Sequence, residues 1–509
     1  MGKPIDPDFP TKRRGFAWVL SLAVFVLACT NATEGCALLH LNPDPEVAPS
    51  RNADQAWTPP LSVTGLNNPI SDLQQLRRLR ENSAPRASGT QTYDLPSLVD
   101  LALRTNPQTQ HAWYAAVEAE DQLGQSEASD YPKIDADAAG GYLKLPIQFP
   151  GQTLVVRNEA FLPRIKVSYD LLDFGRTHAA ERSAREQLIA ANFAFNQAIQ
   201  DVVFSVEKAY YVLSAASASV SAAEANLKLA RTSLTAVQER HQVGLSTRPQ
   251  ILLAKRVEAQ AVYDLENARS MVRDAEAGLR QALGVAADTN LRIKSGQLDR
   301  LPDNLSDDVE TLMEDALKQR PDLAAQGAAV RSDEAAIARA RSDFYPEVEI
   351  GGDYGQIIWS YTVNGGNTQN LNQPFYGALM TLRWNLFTGF DRYYGEQKAT
   401  AARNAARAEL RSLQINAVAA VWTAYYDYLS AKKKRDASEA LVSASEESYQ
   451  ANLQSHRHGL ATITDLISAE RDLMAARYTL IQSKADLLVS SSALLHATGA
   501  ASASTTKTP

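Results

Sequence analysis

Cysteine is almost absent from this sequence. The 509-residue chain holds two, Cys29 and Cys36, and both lie near its N-terminal end. A disulfide framework is therefore excluded for the body of the chain, which must be held together by packing and hydrogen bonds.

Long hydrophobic runs are also missing. The most apolar stretch extends from Phe16 to Leu27 and is 12 residues long. A membrane-spanning helix needs about 20 apolar residues, so no transmembrane helix is expected. Because Lys12, Arg13 and Arg14 precede the apolar run, residues 1–28 are predicted to be a signal peptide.

The end of this segment offers a lipidation site. The sequence Val26-Leu27-Ala28-Cys29 resembles a bacterial lipobox, whereas Glu34 argues against Cys36 as a second candidate. Cys29 is therefore predicted to carry a lipid. The alternative is ordinary cleavage between small residues, which would leave Cys29 incidental. Thr30 after the cysteine, in place of aspartate, favours export to the outer membrane.

The chain lacks an excess of basic charge. Its 51 Lys and Arg residues face 58 Asp and Glu residues, for a net charge of −7. Proteins that bind nucleic acid usually have a basic balance, so no nucleic-acid partner is expected. The basic residues are scattered along the chain, which is typical of solvated helix faces.

Motifs for catalysis and cofactor binding are missing as well. The sequence contains no Walker loop, glycine-rich dinucleotide loop, nucleophile elbow or His-Glu-x-x-His pattern, so neither an enzyme nor a cofactor is predicted. His456 and His458 could meet around a threefold axis and bind a metal. Arg457 between them disfavours that site, and exposed polar residues at a helix tip explain the pattern better.

Short motifs recur at a nearly fixed spacing, which indicates a tandem duplication. The offset is 214 residues in the first part of each repeat and 215 in the rest. The pairs are Asn106-Pro107 with Arg320-Pro321, Tyr131-Pro132 with Tyr345-Pro346, Ala209-Tyr210-Tyr211 with Ala424-Tyr425-Tyr426, Gly244-Leu245 with Gly459-Leu460, and Leu283-Gly284 with Thr498-Gly499. The predicted repeats cover residues 94–284 and 308–499.

Each repeat is predicted to contain the same four elements: a helix, a strand hairpin, a very long helix and a return helix. The stretches 176–243 and 396–458 contain neither glycine nor proline and are rich in good helix formers. The first helix and the return helix together match the long helix in length, which indicates a wall of parallel rods. The predicted bounds are 95–130, 132–174, 176–240 and 250–283, then 309–344, 346–390, 396–455 and 465–498.

The predicted hairpins alternate between apolar and polar residues, as a barrel strand does between lipid and water. Ile165, Val167 and Tyr169 share one face, and Met380, Leu382, Trp384 and Leu386 share one in the second hairpin. The alternative is a half-buried sheet in a soluble sandwich. Open strand edges are not tolerated in lipid, so two hairpins require further copies of the chain to close.

The duplicated order of these motifs resembles the TolC-like outer membrane factors over about residues 90–500. The residues that carry the resemblance are the Tyr-Pro before each hairpin, the strand ends 168–176 and 384–389, and the Gly-Leu tips. The resemblance implies an α+β membrane protein: a trimeric 12-stranded β-barrel, four strands per chain, continued by a long periplasmic α-helical barrel. It also implies a lipid-anchored linker at 29–93 and an inter-repeat linker at 285–307. The small and polar tail 500–509 is predicted to be disordered.

The resemblance implies a passive exit duct for small molecules. Its partners would be two further copies of the chain, a periplasmic adaptor, an inner membrane pump and the lipid of the outer membrane. The duct of a type I protein secretion system or of a metal-ion efflux system is an alternative. A coiled-coil scaffold without a pore is a different class, and the alternating hairpins argue against it.

The resemblance also implies roles for the helix tips. The adaptor is expected to dock on Val243-Gly244-Leu245 and His458-Gly459-Leu460, although the glycines alone would also suit simple turns. Asp465 is expected to form part of a periplasmic gate, or else to stabilise the start of its helix. Ser468 stands where the family has a second acid, and Gln250 is the neutral counterpart of Asp465.

Overall fold

The computed structural model describes residues 50, 53–57, 92–285, 289, 291–294, 298 and 308–500. The predicted signal peptide, Cys29 and Cys36 lie outside these residues, as do most of the two predicted linkers and residues 501–509. Within the described part of the chain, no helix combines the length and apolar character needed to cross a membrane.

The helices and long strands of the described residues follow the same order twice, and the first half also contains two short strands. In the first half they are β1 (Thr92–Tyr93), α1 (Leu95–Thr105), α2 (Pro107–Glu127), β2 (Lys133–Phe149), β3 (Gln152–Leu172), α3 (Arg176–Gln242), α4 (Arg248–Leu283) and β4 (Arg292–Ile293). In the second half they are α5 (Val309–Gln319), α6 (Pro321–Ser342), β5 (Glu347–Val363), β6 (Gln369–Arg383), α7 (Asp391–Arg457) and α8 (Ile463–Ala497).

The two long helices are confirmed. Helices α3 and α7 have 67 residues each, which at about 1.5 Å per residue makes each roughly 100 Å long. Helix α3 packs against α4 and α2, and α7 packs against α8 and α6. Helices α6 and α8 of the second half also pack on α3, which joins the two halves of the chain.

The prediction of one continuous helix at the start of each repeat is wrong. Asn106 and Arg320 separate α1 from α2 and α5 from α6, and both have extended backbones, with ψ of 124°. Each precedes a proline, whose ring disfavours the helical conformation in the residue before it. Pro107 and Pro321 then occupy the first turn of the next helix, where the missing N–H costs nothing.

The strand-to-helix turn of the second hairpin also differs from the prediction. Strand β6 ends at Arg383, so Trp384 and Leu386 lie outside it. Helix α7 begins at Asp391, five residues before the predicted start at residue 396, and it includes Gly395. Phe390 caps this helix in the left-handed region, with φ of 66°. A single helical glycine costs about 1 kcal/mol, too little to delay the helix.

The four long strands form one antiparallel sheet in the order β2-β3-β5-β6. The register places Ile134 opposite Val167, Val167 opposite Gly352, and Gly352 opposite Ala378. Because directly paired residues share a face, the apolar face predicted for single strands continues across all four. The opposite face carries charged pairs such as Arg164 and Asp137, whose nearest charged atoms are 2.8 Å apart.

The ends of the return helices meet the breaks in the first helices. Gly284 follows the last residue of α4 and lies against Asn106 and Pro107. Thr105 Oγ1 and Asn106 Nδ2 donate to the carbonyls of Leu283 and Ala282. Likewise Gly499 lies against Gln319 and Arg320. The repeated proline and glycine motifs of the sequence are therefore neighbours in space, where side chains cap the last carbonyls of each return helix.

Candidate functional site at the helix tips

The first tip joins α3 to α4 through a Schellman turn. The amide of Leu245 donates to the carbonyl of Arg240 at 2.8 Å, and that of Gly244 donates to His241 at 3.0 Å. Gly244 has a φ of 75°, a left-handed conformation that glycine adopts without steric cost. The turn therefore requires glycine or a similarly tolerant residue at this position.

The second tip, between α7 and α8, repeats this geometry. The amide of Leu460 donates to Ser455 at 2.8 Å, and that of Gly459 donates to His456 at 3.1 Å. Gly459 also has a φ of 75°. The two tips therefore present the same backbone shape, although His458 replaces Val243 in the sequence.

A histidine side chain lies against the turn of each tip. His241 Nδ1 lies 2.6 Å from the carbonyl of Ser246, and His456 Nδ1 lies 3.0 Å from that of Ala461. A carbonyl oxygen only accepts, so Nδ1 is the donor in both of these hydrogen bonds. His456 thus serves the turn. Among the described residues, no group of three or more His, Cys, Asp and Glu side chains could hold a metal ion.

Both return helices begin with a capping box. The amide of Thr247 donates to Gln250 Oε1 at 2.8 Å, and the amide of Thr462 donates to Asp465 Oδ2 at 2.9 Å. The hydroxyl of Thr462 donates to the same carboxylate oxygen at 2.6 Å. These bonds to Thr462 lower the pKa of Asp465 below its ordinary value of 3.8. The exposed carboxylate is thus ionised, and it turns back on its own helix start.

The outer surface of the tips is apolar and exposed. Val243, Leu245 and Leu460 expose 69%, 67% and 84% of their surface, and His458 is exposed beside them. Arg240 Nη1 donates to the carbonyl of His456 at 3.2 Å, which links one tip to the other. The residues predicted to bind the adaptor therefore lie at one end of two joined hairpins.

Below the tips lies a buried carboxyl, that of Glu470, which the sequence analysis did not identify as a functional residue. Glu470 on α8 is 2% exposed, and burial raises its pKa to about 7. A signal for it exists in the sequence. Ile463, Leu466, Ile467 and Leu473 are spaced so that Glu470 falls on their apolar face.

Comparison with known proteins identifies relatives across most of the chain. Protein CyaE of Bordetella pertussis is 27% identical over 356 residues, which make up 70% of this chain and 73% of CyaE. The cation efflux system protein CusC of Escherichia coli K12 is 24% identical over 265 residues, 50% of this chain and 54% of CusC.

Solved structures share the fold at low sequence identity. The outer membrane protein VceC of Vibrio cholerae has a TM-score of 0.67 at 20% identity, and the match covers 80% of this chain and 96% of VceC. A CusC structure has a TM-score of 0.68 at 20% identity, with coverage of 82% and 95%. The fold is therefore the TolC-like α+β fold of outer membrane channels.

The two halves of the chain also match a single family description. A model described as outer membrane efflux protein matches residues 98–285 and again residues 312–500, together more than half of the chain. Its two matches coincide with the two occurrences of the helix, hairpin, long helix and return helix. The chain belongs to the outer membrane efflux protein family.

Proposed function

We propose that three copies of this chain form the outer membrane duct of a tripartite efflux system. The carrying observation is the four-stranded sheet, in which β2 and β6 each have one strand neighbour among the described residues. Unpaired backbone groups cost several kcal/mol each in hydrocarbon, so these edges must be closed. Three chains supply twelve strands, within the range of known membrane barrels.

Native mass spectrometry in mild detergent tests this assembly. The proposal predicts a trimer that persists on dilution, because every strand edge is paired with a neighbouring copy. A stable monomer that carried a closed barrel would contradict it.

In this proposal the duct is passive. An inner membrane pump supplies the energy, and a periplasmic adaptor binds the apolar tips around Gly244 and Gly459. The exposed leucines and the repeated tip geometry support this docking surface, because exposed apolar residues favour burial against a partner. Lipidation of Cys29, which lies outside the described residues, would add an anchor in the outer membrane.

Small molecules are the proposed cargo. The similarity to CusC, whose name assigns it to cation efflux, favours metal ions as a second candidate. Deleting the gene that encodes this chain and comparing growth on antimicrobial compounds with growth on metal salts distinguishes the two candidate cargoes. Sensitivity to metal salts alone would favour the second candidate.

We also propose that Asp465 contributes a negative ring to the periplasmic gate. Threefold symmetry would bring three of these carboxylates around one axis, where they attract cations and repel one another. Asp465→Ala is expected to raise the conductance of the closed pore and to weaken block by divalent cations. Single-channel recording in planar bilayers measures both effects.

The repeat supplies a matched control for this prediction. Gln250→Ala removes the equivalent capping box but no charge, so it should leave cation block unchanged. Because hydrogen bonds lower the pKa of Asp465, its cap persists at neutral pH and is lost only as the pH falls through that lowered value. Equal behaviour of the two variants would show that Asp465 serves the helix start alone.

A further inference from the structure

The buried carboxyl of Glu470 lies where the two hairpins meet. Helix α8 packs on α3 just below the tips, and Glu470 faces that contact. Leu466 and Leu473 lie one turn before and one turn after it on α8, and both are buried in an apolar cluster that includes Leu234 of α3. The carboxyl is thus enclosed by hydrocarbon on one of the surfaces that join the two halves of the chain.

The carboxyl has little polar compensation. Ser233 Oγ on α3 donates to Oε2 at 3.3 Å, a long and weak hydrogen bond. Oε1 is buried and has no hydrogen-bond partner among the described residues. No arginine, lysine or histidine in the described part of the chain offsets the charge of Glu470. An ionised carboxylate in this position would be costly, so the packed arrangement favours the neutral acid.

The titratable groups on the surrounding helices do not offset this cost. The pKa of Tyr449 on α7 is raised by its own burial first and by the charge of Glu470 second. Glu446 on α7 is paired with Arg477 on α8. Helix α4 contributes Ala254 to the cluster, while its Glu258 pairs with Arg231 of α3 at 3.3 Å.

We propose that Glu470 is a proton-controlled latch between the two helical hairpins. The neutral carboxyl allows α8 to pack on α3, and ionisation drives the two tips apart, because the charged form gains water only when the hairpins separate. The latch regulates the proposed duct, so its biological role rests on the proposed function. The packing equilibrium itself can be measured without any transport.

The direction of the pH effect follows from proton linkage. Glu470 has a pKa of about 7 when packed, against an ordinary value of 4.5. Between these values the packed state holds a proton that the separated state releases, so packing weakens as the pH rises through this window. Acidic conditions keep the hairpins together, and a pH above about 7 favours their separation.

Spin-label distances between the hairpins test the latch in the full-length chain. Thr235 on α3 and Arg471 on α8 are exposed, and each is replaced by a nitroxide-bearing amino acid, with labelled chains diluted in unlabelled ones. The wild-type background should gain a longer distance as the pH rises from about 4.5 to about 7, as linkage requires. Glu470→Gln should keep the short distance throughout, while the exposed control Glu447→Gln should behave like wild type.

A second variant and a second readout keep the test decisive. Ser233 donates to the carboxylate, which favours the ionised form in the packed state. Ser233→Ala should therefore increase the population of the longer distance above about pH 7. Infrared absorption of the protonated carboxyl in wild type should disappear over the same pH range. A distance independent of pH in wild type, or an unaltered pH response in Glu470→Gln, would overturn the latch. A pH-dependent distance in a chain without conductance would reject the duct and leave the latch standing.

Discussion

Replacing Gly244 and Gly459 together by isoleucine is expected to abolish efflux while the trimer still forms. Both glycines have a φ of 75°, a region that β-branched residues rarely adopt, at a cost of about 1–3 kcal/mol each. A Cβ built at either position meets no atom within 4 Å. The new side chains would therefore distort the exposed turns, where the adaptor is proposed to bind, without disturbing the packing below them.

Drug accumulation in cells measures the loss of efflux, and native gels of the extracted protein show whether the trimer still forms. Gly244→Asn with Gly459→Asn is the matched control, because asparagine tolerates the left-handed conformation and should preserve the Schellman turns. The control should retain more efflux than the isoleucine variant. Normal efflux in the isoleucine variant would place adaptor docking elsewhere.

Gly284→Ala is expected to cause a large loss of stability. Its φ is 71°, and an added Cβ would lie 2.6 Å from Asn106 Cα and 2.8 Å from Pro107 Cδ. Neither of these ring and backbone atoms can turn away as a flexible side chain would. Backbone strain and overpacking together should lower the free energy of unfolding by about 2–4 kcal/mol.

Helix α4 contains a control for this substitution in Gly278. It has no positive φ and no atom within 4 Å of an added Cβ, so Gly278→Ala should stabilise the helix by about 0.5–1 kcal/mol. Thermal and denaturant unfolding of both variants, compared with wild type, measure the difference. Equal stability of the two variants would contradict the close approach of α4 to the break between α1 and α2.

Much of the fold is predictable because it depends on local rules. The absence of glycine and proline over more than 60 residues predicts α3 and α7, and period-two alternation predicts the strands and their apolar face. The breaks at Asn106 and Arg320 follow from the proline after each, a rule that outweighs the helical pattern around them. The spacing of Thr462 and Asp465, three residues apart at a helix start, likewise indicates a capping box.

Other features depend on contacts between distant segments. The spacing of apolar residues on α8 places Glu470 on the inner face, but it does not reveal that α3 covers that face with Ser233. Nor does the sequence show that Gly284 and Asn106 touch, although both belong to repeated motifs. Asn106 and Ala282, which are hydrogen-bonded beside this contact, lie 176 residues apart in the chain, a pairing that no local pattern encodes.

Conductance of the purified trimer in planar lipid bilayers tests the central claim most directly. Closing four-stranded sheets from three chains encloses a water-filled lumen, so each inserted trimer should conduct in discrete steps. Loosening the tips, for example by Gly244→Ile with Gly459→Ile, should not reduce the conductance of the barrel itself. An assembly that inserts into the bilayer as a trimer and never conducts, with or without altered tips, would contradict the assignment of this chain as a duct.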